Sequence, residues 1–389
     1  MIETSKRVEK IEEFRVMDLL RRANELAASG KDIIHMEIGE PGFRVFEPVV
    51  IRGIKAIQDG MSAYTEAQGI LSLRESISNF YYKEFGVKVS ADRVFVTTGA
   101  SGALLMLTAL LLDHDENLLI TDPGYPCSRN YLYAFSSDPV LVPVGTQTGY
   151  KLTSSLVESH WNSSTKGVLI SSPSNPTGAI YSSGELGELS ETIKAKNGFL
   201  LVDEVYQGFT YKPLVSSTVL SVEQDAFVVN SFSKFFGMTG WRIGWIVAPE
   251  SVRKDLLKLA QNFFICAPSI AQHAALDALT SDALIAANSH VEEFRVRRDF
   301  LVKALRDLGF FIHGSPLGAF YIYARLPKKA PRSKDFCLQF LESEYVAVTP
   351  GYDFGKYDAD HHVRFSFTQN LSRLEVAIER LSRFSRSWK

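Results

Sequence analysis

Apolar residues recur at three-residue steps near the start of the chain, at Val8, Ile11, Phe14, Met17 and Leu20. That spacing predicts one amphipathic helix, stopping near Ser29-Gly30. A short extended piece follows over residues 33–42 and ends in a turn, and residues 71–85 read as a second amphipathic helix. Beyond it, short apolar runs alternate with helical stretches. Strands are predicted at 94–98, 118–121, 140–144, 168–172, 198–202, 226–230 and 241–247, with a helix at 103–112. This alternation predicts an α/β fold with a mainly parallel central sheet flanked by helices. Ser251 reads as the cap of a further helix, and residues 271–279 and 283–308 as two more. The last leads to a smaller α+β part in which residues 318–323 and 363–367 form strands. The chain therefore divides, in expectation, into a large domain at 45–280 and a small one built from 1–44 and 281–389.

The stretch Ser231-Phe232-Ser233-Lys234 runs on through apolar residues to Gly240-Trp241-Arg242-Ile243-Gly244. A lysine among apolar neighbours pays for desolvation as an ammonium, so its pKa should fall and its amine become a nucleophile toward carbonyls. Arg242 and the serines supply donors for an anion. A nucleophilic amine beside an anion cradle suggests an aldehyde-bearing phosphate, of which pyridoxal phosphate is one. A second wall for the same phosphate comes from Gly99-Ala100-Ser101-Gly102, which opens a helix just after a strand and so presents bare N–H groups. The loop is neither a dinucleotide fingerprint nor a P-loop. Asp203 ends an apolar run typical of a strand covered on both faces, where a carboxylate is costly unless paired; capping a helix is the plainer alternative. Tyr125, held in Asp122-Pro123-Gly124-Tyr125-Pro126, could stack on a planar ring or simply lie at a surface turn. Every one of these loops follows a predicted strand, where open α/β sheets bind ligands.

Ser-x-Ser-Lys followed by Gly-x-Arg-x-Gly resembles the Schiff-base segment of class I/II aminotransferases, the fold-type I pyridoxal-phosphate enzymes. Ile38-Gly39-Glu40-Pro41, Pro173-Ser174-Asn175-Pro176-Thr177-Gly178, Asp203-Glu204-Val205-Tyr206 and Pro350-Gly351-Tyr352-Asp353-Phe354-Gly355 extend the likeness, in the family's order, over about residues 33–381. Where the family usually carries Asp, this chain has Gly42. The resemblance implies that Lys234 holds pyridoxal 5′-phosphate as a Schiff base and then moves a proton from the donor's Cα. Asp203 would pair with the pyridine nitrogen, Tyr206 and Asn175 would donate to the phenolate oxygen, and Tyr125 would stack on the ring. The phosphate would lie among Gly99, Ala100, Ser101, Ser231, Ser233 and Arg242, with Tyr64 arriving from a second subunit. Gly39, Asn175 and Arg364 would receive the substrate's α-carboxylate. Read without that resemblance, Gly39 is also a simple turn glycine, Tyr64 ordinary interface or core, Asn-Pro a common turn, and Arg364 a group facing solvent.

The expected enzyme is a homodimeric, cytoplasmic aminotransferase of amino-acid metabolism, taking an L-amino acid and a 2-oxo acid in ping-pong order. Aspartate, alanine and aromatic amino acids all stay open as donors. A carbon–sulfur β-lyase of the same fold is the alternative, and a pyridoxal-phosphate-binding DNA regulator is disfavoured by the short, non-basic N-terminal segment. Composition agrees with a globular enzyme: 389 residues, 46% hydrophobic and 22% charged, with a net charge of −2 that gives no nucleic-acid footprint. Cys127, Cys266 and Cys337 form no CxxC pair and fit a reducing compartment. The charged start of the chain does not read as a signal peptide. No apolar run reaches the length of a membrane span, and the histidines show no metal-ligand spacing.

Overall fold

The computed structural model describes residues 2–13 and 15–388. Its strands, in chain order, are β1 (Ile34–His35), β2 (Val94–Thr97), β3 (Asn117–Asp122), β4 (Val140–Pro143), β5 (Thr165–Ser171) and β6 (Phe199–Asp203). They continue with β7 (Phe227–Ser231), β8 (Gly244–Val247), β9 (Tyr321–Arg325), β10 (Val346–Ala347), β11 (Thr349–Pro350) and β12 (His362–Ser366). The central sheet has seven strands in the order β2-β8-β7-β6-β5-β3-β4. Its neighbours run parallel except at β8, which is antiparallel to both β2 and β7. Val202, Val228, Val229, Trp245 and Ile246 are fully buried. Burial of successive residues, which point to opposite faces, is what helices on both sides of the sheet require. A three-stranded antiparallel sheet, β11-β12-β9, and a two-stranded parallel one, β1-β10, stand apart from it.

Several boundaries move for local reasons. The expected N-terminal helix is two helices, Lys6–Lys10 and Arg15–Ala28; Phe14 of the predicted stripe lies outside the described residues. The stripe is also off by one position. Val16, Ala23 and Leu26 are the buried residues of Arg15–Ala28, while Met17 is exposed. Strand 241–247 begins only at Gly244, because Thr239–Trp241 makes a 3-10 turn and Arg242 takes a left-handed φ of 51°. Strand 318–323 begins at Tyr321, because the preceding segment is tied elsewhere: Ala319 N–H donates to Phe209 O at 2.9 Å. Ser251 does not cap a helix; it lies inside the 3-10 turn Glu250–Val252 that leads into helix Arg253–Phe263.

The segment after β11 is tied to the central sheet at the end of β3. The buried Asp122 carboxylate accepts the backbone N–H groups of Lys356 and Tyr357, at 3.0 and 3.2 Å to Oδ2. Gly355 must be glycine, since a Cβ there would lie 1.7 Å from Asp122 Oδ1. Gly187 is the opposite case, an interior helix glycine whose Cβ would meet nothing within 4 Å. Gly355→Ala should therefore lower the denaturation midpoint and Gly187→Ala raise it, the latter by about 0.5–1 kcal/mol. Chemical denaturation of both variants beside the parent protein checks the two signs.

Candidate active site

Parallel strands β2, β3, β5, β6 and β7 end at one edge of the sheet, and each runs into a loop carrying candidate residues. Because β8 is reversed, its amino end reaches the same edge, with Gly244 paired to Ser231. Arg242, two residues earlier, is thereby delivered beside the loop that bears Lys234. A cavity of about 370 Å³ opens there. Ala100, Ser101, Tyr125, Asn175, Asp203, Tyr206, Ser231, Ser233, Lys234, Arg242, Gly39 and Arg364 all line it. Two predicted residues do not. Gly99 lies behind the Arg242 guanidinium, and Tyr64 is 80% exposed, outside the cavity of its own chain.

The amine and the acid at the centre are both displaced from their ordinary values. Burial lowers the Lys234 amine to about 8, with the positive charges of Arg364 and Arg242 adding to the effect and Glu40 and Asp203 opposing it. Lys234 Nζ donates to the Gly39 carbonyl at 2.7 Å. Burial raises the Asp203 carboxyl to about 6, although the Val205 N–H donates to its Oδ1 at 3.0 Å and Lys234 lies near enough to favour its ionised form. An N–H two residues on resembles the helix-cap alternative, yet Val205 lies in a turn, not in a helix.

The wall expected to face an anion is built from backbone as much as side chain. Helix Gly99–Leu111 starts with Gly99 at φ 68°, and a Cβ on that glycine would lie 2.7 Å from Arg242 Nη2. The guanidinium is steadied by Thr239 O at 3.1 Å. Ser231 Oγ lies 2.9 Å from Ser233 Oγ and accepts the Ser233 N–H at 3.0 Å. Across the cavity, Arg364 does not face solvent. It is 4% exposed on β12, donates from Nη1 to Asn175 Oδ1 at 3.0 Å, and from Nη2 to Thr349 Oγ1 at 3.1 Å and to the Glu37 carbonyl. Its Nε has no partner among the described residues.

Sequence reasoning missed two contributors. Tyr321 was hidden in an alternating aromatic strand and Thr349 in a two-residue one. Tyr321, Glu40 and the Val16-Met17-Leu20 edge of helix Arg15–Ala28 line the cavity, whereas Thr349 acts behind it by accepting from Arg364. Met17 and Leu20 belong to the predicted apolar stripe, and the family resemblance implies that this segment packs against the rim of the site; Val16 was not in the stripe.

The profile of the family described as Aminotransferase class I and II matches residues 31–381. A (5-formylfuran-3-yl)methyl phosphate transaminase of Methanocaldococcus jannaschii is 33% identical, covering 98% of this chain and 99% of its own. A valine–pyruvate aminotransferase of Mycobacterium tuberculosis is 34% identical, covering 95% of each. Among solved structures, that of an aminotransferase from Mycobacterium tuberculosis superposes with a TM-score of 0.95 at 32% identity and full coverage of both chains. With the lysine, the acid and the two arginines of the motif set gathered around one cavity, the chain belongs to the class I and II aminotransferases and is a transaminase.

Proposed function

We propose that this cavity binds pyridoxal 5′-phosphate and that Lys234 is the base of the transfer. The observation that carries the reading is one buried amine and one buried carboxylate where neighbouring strands end at the same edge, Asp203 closing β6 and Lys234 in the loop after β7, each shifted toward its neutral form. A carboxylate at about 6 with one backbone donor is suited to a cationic ring nitrogen. The N–H groups opening helix Gly99–Leu111, with Ser231, Ser233 and Arg242, suit the phosphate. Asn175 and Tyr206 are available to the phenolate oxygen, and Tyr125 to the ring face. When bound, the cofactor supplies an aldehyde to take up the donor's amine and a cationic ring to accept the electrons of the breaking Cα–H bond.

The chain's own residues do the rest. A Lys234 amine at about 8 keeps a sizeable neutral minority near physiological pH, and that form can take the proton from the donor's Cα. The Arg364 fork can receive the α-carboxylate in place of the Asn175 oxygen. Among the described lining residues the cations are Lys234, Arg242 and Arg364, each with a task in this scheme. Val16, Met17 and Leu20 leave an aliphatic wall, with Glu40 the nearby acid, which favours a donor with an uncharged side chain.

The wider assembly belongs to the same proposal. Ile51, Ile54 and Ile57 of helix Glu47–Gln58 are 58%, 51% and 63% exposed, and the nearby Tyr64 80%. Such an apolar face, continuous with a tyrosine that its own cavity does not use, favours a homodimer in which Tyr64 reaches the partner's phosphate. Residues 45–280, which contain the whole seven-stranded sheet, would form the cofactor domain, with 1–44 and 281–389 the smaller one. The three unpaired cysteines favour the cytoplasm; among the described residues no helix is long and apolar enough to cross a membrane.

Lys234→Ala should abolish amino transfer and the visible absorbance of bound cofactor, read by half-reaction spectroscopy over a panel of donors. In the parent protein, leucine, methionine or phenylalanine should exceed aspartate in kcat/KM by about tenfold or more; an aspartate preference would refute the aliphatic wall as the donor's subsite. A raised carboxyl favours folding while it stays protonated, and that contribution is lost as pH climbs through about 6. Asp203→Asn should thus stabilise the cofactor-free protein at about pH 7.5 by on the order of 2–3 kcal/mol, the gain fading toward about pH 4. Thermal midpoints across that range test it. Ile54→Asp should convert dimer to monomer by light scattering and lower cofactor affinity with it.

A further inference from the structure

Tyr321 opens β9 and is 1% exposed. By sequence it is one more aromatic in an alternating strand. Its contacts are more particular. Its hydroxyl lies 2.8 Å from the Tyr206 hydroxyl. The Arg364 guanidinium carbon sits 4.2 Å from the centroid of its ring. A Cβ built on Gly39 would fall 2.0 Å from its hydroxyl oxygen and 3.1 Å from its Cζ. The β9–β12 register opposes Tyr321 to Ser366 and Tyr323 to Arg364, so Tyr321 and Arg364 are diagonal neighbours on one face of an antiparallel pair. One side chain thus touches the phenol offered to the cofactor, the guanidinium offered to the substrate carboxylate, and the glycine whose carbonyl holds the Lys234 amine.

A phenol has one proton to give. Among the described residues the Tyr321 hydroxyl has Tyr206 as its hydrogen-bond partner. If Tyr206 spends its proton on the cofactor's phenolate oxygen, the Tyr206 oxygen is free to accept, and Tyr321 is the donor in place. The two hydroxyls then point the same way, and each bond strengthens the next. A cation over the Tyr321 ring makes that phenol the better donor. We infer that Tyr321 is a positioning residue: it donates to Tyr206, so setting how strongly Tyr206 binds the phenolate, and its ring links that strength to Arg364. Gly39 is then glycine because the Tyr321 hydroxyl occupies the place of a Cβ. The inference rests on the pyridoxal-phosphate reading above.

The test uses the holoenzyme and reads the pH at which its visible band changes. A weaker hydrogen bond to the phenolate lets that oxygen hold more tightly the proton it shares with the Lys234 nitrogen. Tyr206→Phe should therefore move the transition to higher pH, and Tyr321→Phe should move it the same way by less, on the order of a twofold to fivefold change in proton affinity. Because Tyr321 acts through Tyr206, the double variant should move no further than Tyr206→Phe alone. An unmoved transition in Tyr321→Phe, or full additivity in the double variant, overturns the inference while leaving the cofactor reading intact. A parent protein that gains no visible band with pyridoxal phosphate overturns both. The packing is read separately, without cofactor: Gly39→Ala should lower the thermal midpoint, and adding Tyr321→Phe should recover part of the loss. Failure of that rescue shows that the hydroxyl does not hold the Gly39 position and also overturns the inference.

Discussion

Burying an amine and a carboxylate at one strand edge is the constraint the remaining structure answers to. Lys234 at about 8 and Asp203 at about 6 each stand about two pKa units from their ordinary values, an ionised-state penalty on the order of 3 kcal/mol apiece. A loop alone could relax and let such groups escape to water. Here they follow β6 and β7, neighbouring strands whose side chains are buried on both faces, so the groups stay where the sheet puts them. The same unfavourable burial leaves the amine neutral enough to attack and the acid in want of a cation.

The remaining residues reach that edge by routes the sheet dictates. The reversal of β8 brings Arg242 to the ends of its parallel neighbours, and the left-handed turns at Gly99 and Arg242 let guanidinium and helix start approach each other. Gly244 completes the approach, since a Cβ on it would lie 2.7 Å from Asn230 O and 3.0 Å from Ala100 N. From the three-stranded sheet, β12 contributes Arg364 and β9 contributes Tyr321, and the chain after β1 contributes Gly39 and Glu40.

The N-terminal segment is fastened to the same neighbourhood. Val16 N–H donates to Asp353 Oδ2 at 2.8 Å, while Ala23 and Leu26 pack on Leu341 and Ala347. That fixes the rotation of helix Arg15–Ala28. With Ala23 and Leu26 turned inward, Met17 and Leu20 turn toward the cavity, which is how part of the predicted stripe comes to form a wall of the site. Burial raises the Asp353 carboxyl to about 6, so the fastening carries an ionisation cost of its own.

The sequence by itself determined the strand–helix alternation, the loops after the strands and most of the cavity's polar residues, because Lys234, Asp203, Asn175 and the Gly99–Ser101 turn sit in local patterns whose chemistry is unusual wherever they fold. Tertiary structure decided what depends on distant partners. Arg364 could have faced water until β12 paired with β9 and set it against Asn175 and Tyr321; Gly39 looked like any turn glycine until the Tyr321 hydroxyl was seen in the space of its missing Cβ. Residue type and spacing encode local conformation and reactivity, whereas contacts between residues far apart in sequence exist only after strand order, register and helix rotation are set by the packing of the whole chain.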